Sequence, residues 1–349
     1  MTRALYMRSE EATISVSVPP EKPFIRIPAV AAASENEVYF GSEALKKSEI
    51  EGFHILWLLY PPRSSKAVNK LFLDFIRYIA GLPAVVSELK ECDFVLLCFP
   101  QSMQDKLNFN WHDFGVFFQS SDRDIRAYTI SQERLSGYSM NQRRLVLNIS
   151  YEYTSLTLIS EGNYVLEKLF IPLGFERIVN YFIKLLCQKG YDLTSTSGKE
   201  ICKDLAKKYC YIADDFDREC KRLDEVNGVL HKIQIADGSE IELGKECFLA
   251  PELLLNPALD GLDTDGLISL FGKKTFITSN VLVAGSFGEN LIGLPQRVAK
   301  ELRQRKVPGR PFYFVKADAY ADFAGVNDTC FQNQFRTERS YDFPDDDSI

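Results

Sequence analysis

Gly190-Tyr191-Asp192-Leu193-Thr194, then Glu200-Ile201-Cys202-Lys203-Asp204, then Lys208-Tyr209-Cys210-Tyr211-Ile212-Ala213-Asp214-Asp215-Phe216-Asp217 is the stretch that decides the fold. Within it Ile201, Leu205, Lys208 and Tyr209 recur at i, i+4, i+7 and i+8, so a helix is expected over 197–211. Gly190 stands just past an earlier helix expected over 177–189, whose Ile178, Phe182, Leu185 and Leu186 share one side.

The pattern extends outward from this pair. Upstream, 144–148 and 154–160 read as a hairpin, and Glu161-Gly162-Asn163 turns the chain into a strand over 164–170. Downstream, 232–243 reads as a hairpin around Ala236-Asp237-Gly238. A strand over 280–284 enters a glycine-containing turn, and a helix follows over 295–304. Towards the N-terminus, 12–18 alternates with period two, and 24–30 and 37–41 are short strand candidates. Helices are expected over 65–80 and around 102–107. Between them Phe94-Val95-Leu96-Leu97-Cys98-Phe99 is a continuous apolar run, which suits a strand buried on both faces of a mainly parallel sheet. Residues 113–142 carry no clear pattern, and no internal repeat is evident. The acidic segment 342–349 is expected to be disordered.

At 349 residues the chain exceeds what a single core of about 250–300 residues accommodates, so two lobes are expected. Its formal charge of −7 disfavours a nucleic-acid surface, which needs clustered Lys and Arg. The basic cluster over 297–310 reads as a solvated helix face. The eight cysteines form no CxxC pair and there are only three histidines, which argues against a zinc site. The thiols read as reduced, and no apolar run approaches the ~20 residues of a membrane span. His54, His112 and His231 sit in no nucleophile motif, so no catalytic residue is assigned.

The opening stretch resembles actin and the actin-related proteins. So do Ala236-Asp237-Gly238 through Gly244-Lys245-Glu246-Cys247-Phe248 and Ala250-Pro251-Glu252-Leu253, and Val281 onward through Gly293-Leu294-Pro295-Gln296-Arg297 to Lys300-Glu301-Leu302. Shorter likenesses are Ile27-Pro28-Ala29-Val30 and Tyr39-Phe40-Gly41-Ser42-Glu43-Ala44. The likeness runs through 144–302 and is patchy over 24–45. It implies an α/β actin-like fold: two lobes, each a five-stranded mixed sheet flanked by helices, with a central cleft for a nucleotide and a divalent metal. The expected divisions are 1–143 for the first lobe, 144–318 for the second, 319–340 returning to the first, and 341–349 as the tail.

The family's phosphate loops are glycine-rich turns, whose backbone N–H groups cradle phosphate while an Asp positions the metal. Where the first loop reads Asp-Asn-Gly-Ser-Gly, an ungapped count places Met7-Arg8-Ser9-Glu10-Glu11, and the family's phosphate-binding Lys falls near Ile14. Where the second reads Asp-Ser-Gly-Asp-Gly, this chain has Asn148-Ile149-Ser150-Tyr151-Glu152. The resemblance thus makes Ser9, Glu10, Asn148, Ser150 and Tyr151 vestigial phosphate-loop positions. On the adenosine side the vestigial positions are Lys203, Lys207, Gly285, Ser286 and Ala319; the family's Lys-Glu pair maps to Ala206-Lys207. The family's water-positioning Gln has no clear counterpart, Gln132 being nearest. Neither a cofactor nor a metal is therefore expected, with ATP and magnesium retained only if the loops are rebuilt, and Tyr151, Phe287 and Phe323 are candidate fillers of the cleft.

The resemblance implies a non-catalytic subunit of a multiprotein complex, with partners that include actin or another actin-related protein and no membrane. The family's long loop between the two short N-terminal motifs reaches into the neighbouring filament subunit. Here only residues 31–38 join those motifs. That suits a fixed position in a cytoplasmic, cytoskeletal complex of the branched-actin nucleator or dynactin pointed-end type. A nuclear chromatin-remodelling subunit and an active ATPase with rebuilt loops are the alternatives.

Overall fold

The computed structural model describes residues 3–10, 13–18, 23–47, 50–59, 66–99, 118, 125–131, 143–159, 165–225, 228–235, 238–272, 280–284, 287–288, 291–305 and 313–316. The helix expected around 102–107 lies outside them, as do the expected return over 319–340 and the tail over 341–349. The chain divides into two compact units, one drawing on residues 1–141 and the other comprising 142–319.

The first unit runs β1 (Ala4–Glu10), β2 (Thr13–Ser17), β3 (Ile25–Pro28), β4 (Val30–Ala33), β5 (Val38–Phe40), α1 (Gly41–Lys47), β6 (His54–Trp57), α2 (Lys66–Ala80), α3 (Pro83–Leu89), β7 (Phe94–Phe99) and β8 (Arg126–Ser131). Its main sheet has the order β3-β2-β1-β7-β8, antiparallel through the first three strands and parallel from β1 to β8. The apolar run becomes β7, buried at all six residues between two parallel neighbours. Phe72, Phe75, Ile76 and Ile79 of α2 join Leu5, Met7, Val95 and Leu97 in one core. Each such side chain contributes on the order of 1.5–3 kcal/mol when fully buried.

The single strand expected over 24–30 is two strands. Pro28 has no N–H to continue a ladder. After it the chain changes sheets: β3 pairs with β2, while β4 pairs with β5 and β6.

The second unit runs β9 (Arg144–Ile149), β10 (Thr154–Ile159), β11 (Val165–Ile171), α4 (Phe175–Gln188), α5 (Thr196–Tyr209), α6 (Phe216–Glu225), β12 (His231–Gln234), β13 (Glu240–Leu243), α7 (Glu246–Glu252), a 3₁₀ turn (Pro257–Asp260), α8 (Leu267–Gly272), β14 (Asn280–Ala284), α9 (Leu294–Gln304) and β15 (Tyr313–Lys316). Its sheet has the order β11-β10-β9-β14-β15, again an antiparallel trio joined to two parallel strands. The two units thus repeat one topology, which no sequence repeat betrayed. The result is the two-lobed α/β architecture that the resemblance implies, with a five-stranded mixed sheet in each lobe.

Local chemistry sets the helices that carry the site. The Ser195 side chain accepts from Gly198 N at 3.0 Å and caps α5. Gly190 ends α4 at φ +94°, where Tyr191 N donates back to Leu186 O at 3.1 Å. The buried Arg297 of α9 ties three segments together. Its Nη2 lies 3.0 Å from Glu252 Oε1, its Nε 2.9 Å from Glu301 Oε1, and its Nη1 donates to Ala213 O at 2.7 Å.

Candidate functional site

The β9–β10 turn is where the resemblance places the second phosphate loop. Asn148 and Ile149 end β9, residues 150–153 make the turn, and Thr154 opens β10 opposite Ile149. A phosphate cradle needs amides free to face the ligand. Here Ser150 N donates to Tyr153 O at 3.0 Å, Tyr153 N donates to Ser150 Oγ at 3.4 Å, and Ser150 Oγ donates to Tyr153 O at 2.7 Å. The serine closes the turn on itself.

The turn is also docked on α4. Phe175 N donates to Ser150 O at 2.9 Å and Glu176 N to Tyr151 O at 2.8 Å, so turn carbonyls satisfy the first helical amides. Gly174 permits this approach, because a Cβ there would overlap the Tyr151 carbonyl and the backbone of Glu152 and Tyr153.

Aromatic rings complete the arrangement. Tyr151 meets Phe175 edge-on at 6.4 Å, and Phe175 stacks on Phe287 at 4.4 Å with an interplanar angle of 30°. Phe175 and Phe287 are buried, and Ile149 packs over Gly288, leaving 3.2 Å to where a Cβ would stand. Lys203 Nζ lies 5.3 Å from the Tyr151 ring and Lys207 Nζ 5.8 Å from the Phe175 ring. These two lysines are one turn apart on α5 and cover the rings as cation–π partners. Lys203 also pairs with Glu200 at 2.7 Å. Asn148 is buried at the end of β9.

The structure therefore brings Asn148, Ser150, Tyr151, Lys203 and Lys207 into one neighbourhood and adds Phe175, which was not singled out from the sequence. Of the candidate fillers, Tyr151 and Phe287 both contact Phe175, whereas Phe323 lies outside the described residues. Gly285, Ser286, Ala319 and Gln132 also lie outside them.

The first-loop positions belong to the other unit. Met7 to Glu10 are strand, not turn, and β1 stays paired with β2 out to Glu10 opposite Thr13. Met7 and Ile14, the counterparts of the family's Asp and Lys by ungapped count, are fully buried in the apolar core. Ser9 is also buried. Among the described residues no group of three or more His, Cys, Asp or Glu is arranged to hold a metal ion, and no helix is long and apolar enough to cross a membrane.

No family model matches the chain. Among curated proteins it is similar to centractin of Schizosaccharomyces pombe, 31% identical over 154 residues, covering 40% of this chain and 41% of that protein. Actin-related protein 2 of Caenorhabditis briggsae is 35% identical over 137 residues, 36% of this chain and 34% of that protein. Actin-related protein 2 of Saccharomyces cerevisiae is 26% identical over 205 residues, 56% of this chain and 50% of that protein. Over these stretches the chain is similar to actin-related proteins. The matches span 34–50% of the length of these three relatives.

The connection between β4 and β5 is a tight hairpin. Ala33 pairs with Val38, and Ser34 N donates to Glu37 O at 2.9 Å. Glu37 N donates to Ser34 Oγ at 3.2 Å, closing the four-residue turn. The long surface loop that the family carries between these strands is absent.

Proposed function

We propose that this actin-related chain is a non-catalytic subunit of a multiprotein assembly and binds no magnesium nucleotide. The carrying observation is the Tyr151–Phe175–Phe287 cluster under Lys203 and Lys207. Rings fill the phosphate-loop side of the second unit, and within the turn Tyr153 N donates to Ser150 Oγ while Ser150 N donates to Tyr153 O, which takes two amides away from a phosphate. The uncharged Asn148 offers no carboxylate to a metal, and Ser150 and Glu152 stand where the family's glycines let backbone approach phosphate. Each missing charge-assisted contact forfeits roughly 1.5–3 kcal/mol of ligand binding.

The four-residue β4–β5 turn supports the assembly half of the reading. A subunit without the long loop makes a weak link in a filament and suits a fixed place in a complex. Its partners are protein subunits, actin or another actin-related protein among them, and its place is the cytoplasmic cytoskeleton. Calorimetric titration of the purified chain with ATP and magnesium tests the first half. No heat of binding is expected, and micromolar affinity would overturn the reading in favour of rebuilt loops. Affinity purification of the native complex tests the second, and chromatin-remodelling partners would overturn the cytoskeletal placement.

A further inference from the structure

Each unit opens on a hairpin whose first strand also pairs with a parallel strand. In the first unit Met7 of β1 lies opposite Val16 of β2 and beside Leu97 of β7. In the second, Leu147 of β9 lies opposite Leu156 of β10 and beside Val283 of β14. Leu5 beside Val95 likewise matches Leu145 beside Val281. All of these side chains are buried in the apolar core of their own unit.

The hairpins also match in length. Arg8 lies opposite Ser15, and Asn148 lies opposite Ser155, with six residues between the members of each pair. Cys98 stands beside Arg8 as Ala284 stands beside Asn148. No insertion separates the two hairpins, so Arg8 is the first-unit counterpart of Asn148. The ungapped count names Met7 instead. Side chains alternate along a strand, and Met7 takes the core face. The register moves the loop position on by one residue, to the half-buried Arg8 on the opposite face, with the buried Ser15 across from it.

Asn148 stands where the family's second loop presents its metal-positioning Asp, so Arg8 stands at that place in the first loop. An arginine there reverses the sign of the local charge. A guanidinium keeps its proton at every pH at which proteins fold, and it repels a divalent cation that a carboxylate would attract. The residues present therefore do not fit a bound divalent metal: an amide replaces one metal-positioning carboxylate and a cation replaces the other. We propose that Arg8 is the residue that excludes a divalent cation from this chain, as a fixed positive charge at the first-loop position of the metal-positioning Asp. The proposal rests on the reading of the chain as a subunit that binds no magnesium nucleotide, and it puts a cause in the first unit beside those in the second turn.

Manganese(II) alone, without nucleotide, is the probe, and the electron paramagnetic resonance signal of free manganese reads its binding to the full chain. Asn148→Asp returns only the second-loop carboxylate and is expected to bind manganese no more tightly than the native chain. Asn148→Asp combined with Arg8→Asp returns both carboxylates and should bind at least about tenfold more tightly than Asn148→Asp alone. Asn148→Asp combined with Arg8→Gln removes the charge and should tighten binding about threefold, which carries the test if the doubly acidic chain fails to fold. Asn148→Asp combined with Arg8→Lys keeps the charge and should stay as weak as Asn148→Asp. Equal affinity whether position 8 is Arg, Gln or Asp overturns the proposal, and so does a gain with Lys as large as that with Gln. Micromolar Mg-ATP binding by the native chain in the earlier titration would overturn the subunit reading. These nucleotide-free comparisons decide the role of Arg8 separately, and their failure leaves that titration untouched.

Discussion

The Phe175 ring stacks on Phe287 with 4.4 Å between centroids, while the Phe175 amide donates to the Ser150 carbonyl of the β9–β10 turn at 2.9 Å. One residue thus anchors both the turn and its aromatic filling. If packing and not a ligand holds this region, Phe175 is its keystone. Phe175→Ala should cost about 3–5 kcal/mol of stability, as for other large buried aromatics. Urea denaturation measures it, and a loss under about 1 kcal/mol would show that the cluster does not hold the turn.

Gly174 should be intolerant of the smallest side chain. A Cβ there runs into turn backbone, which cannot move aside as a flexible side chain can. Gly174→Ala is expected to cost at least about 2 kcal/mol, whereas Gly272→Ala, with nothing within 4 Å of the new atom, should stay within about 0.5 kcal/mol. Equal melting temperatures for the two variants would contradict the docking of the turn on α4.

Millimolar Mg-ATP should leave the melting temperature unchanged. A ligand at a hundredfold excess over its dissociation constant stabilises by about 2.7 kcal/mol, a shift of several degrees. The single repair Asn148→Asp should not restore binding, because Ile149 and Tyr151 keep their bulk. Recovery of micromolar affinity by that one change, read by calorimetry, would sink this account of the site.

The short β4–β5 turn predicts a chain that does not polymerise alone. Under salt and magnesium conditions that polymerise actin, it should remain in the supernatant of a pelleting assay. Long filaments of the pure protein in electron micrographs would refute its place as a fixed subunit.

Glu252 predicts the sign of one pH effect. Burial pushes its pKa up to about 7, with Arg297 opposing and Glu301 assisting, and its Oε2 has no hydrogen-bond partner among the described residues. Between the ordinary value of 4.5 and about 7 the folded state holds a proton that the unfolded state has released. This contribution is therefore full below pH 4.5 and is lost as pH rises through 7. The stability of the native chain relative to Glu252→Gln should fall across that window. Urea midpoints that run parallel for the two proteins from pH 4.5 to 8 would exclude a shifted Glu252.

Much of the local structure was legible in the residues. The apolar run over 94–99 could only be a strand covered on both faces, and the spacing of Ile201 and Leu205 could only suit a helix. Their periods follow from backbone geometry, which acts over a few residues. The first phosphate-loop position was harder to read. An ungapped count put a turn at 7–11, whereas the ladder runs to Glu10, because Met7 buries with Leu5 and Val95 in a core that the count does not see. Pro28 likewise divided what looked like one strand between two sheets.

The sequence by itself determined the element types, the two-lobe family likeness, and the loss of glycine and Asp from the second phosphate turn. Those depend on residue identity and short-range sterics. Only the tertiary structure decided that the two sheets repeat one strand order, that Tyr151 meets Phe175 from 24 positions away, and that Arg144 shares its sheet face with Ser155 and Thr157. Contacts between distant residues arise when whole elements pack and register is set. Whether a buried charge has a partner is a property of everything around it, and no stretch of chain carries that information alone.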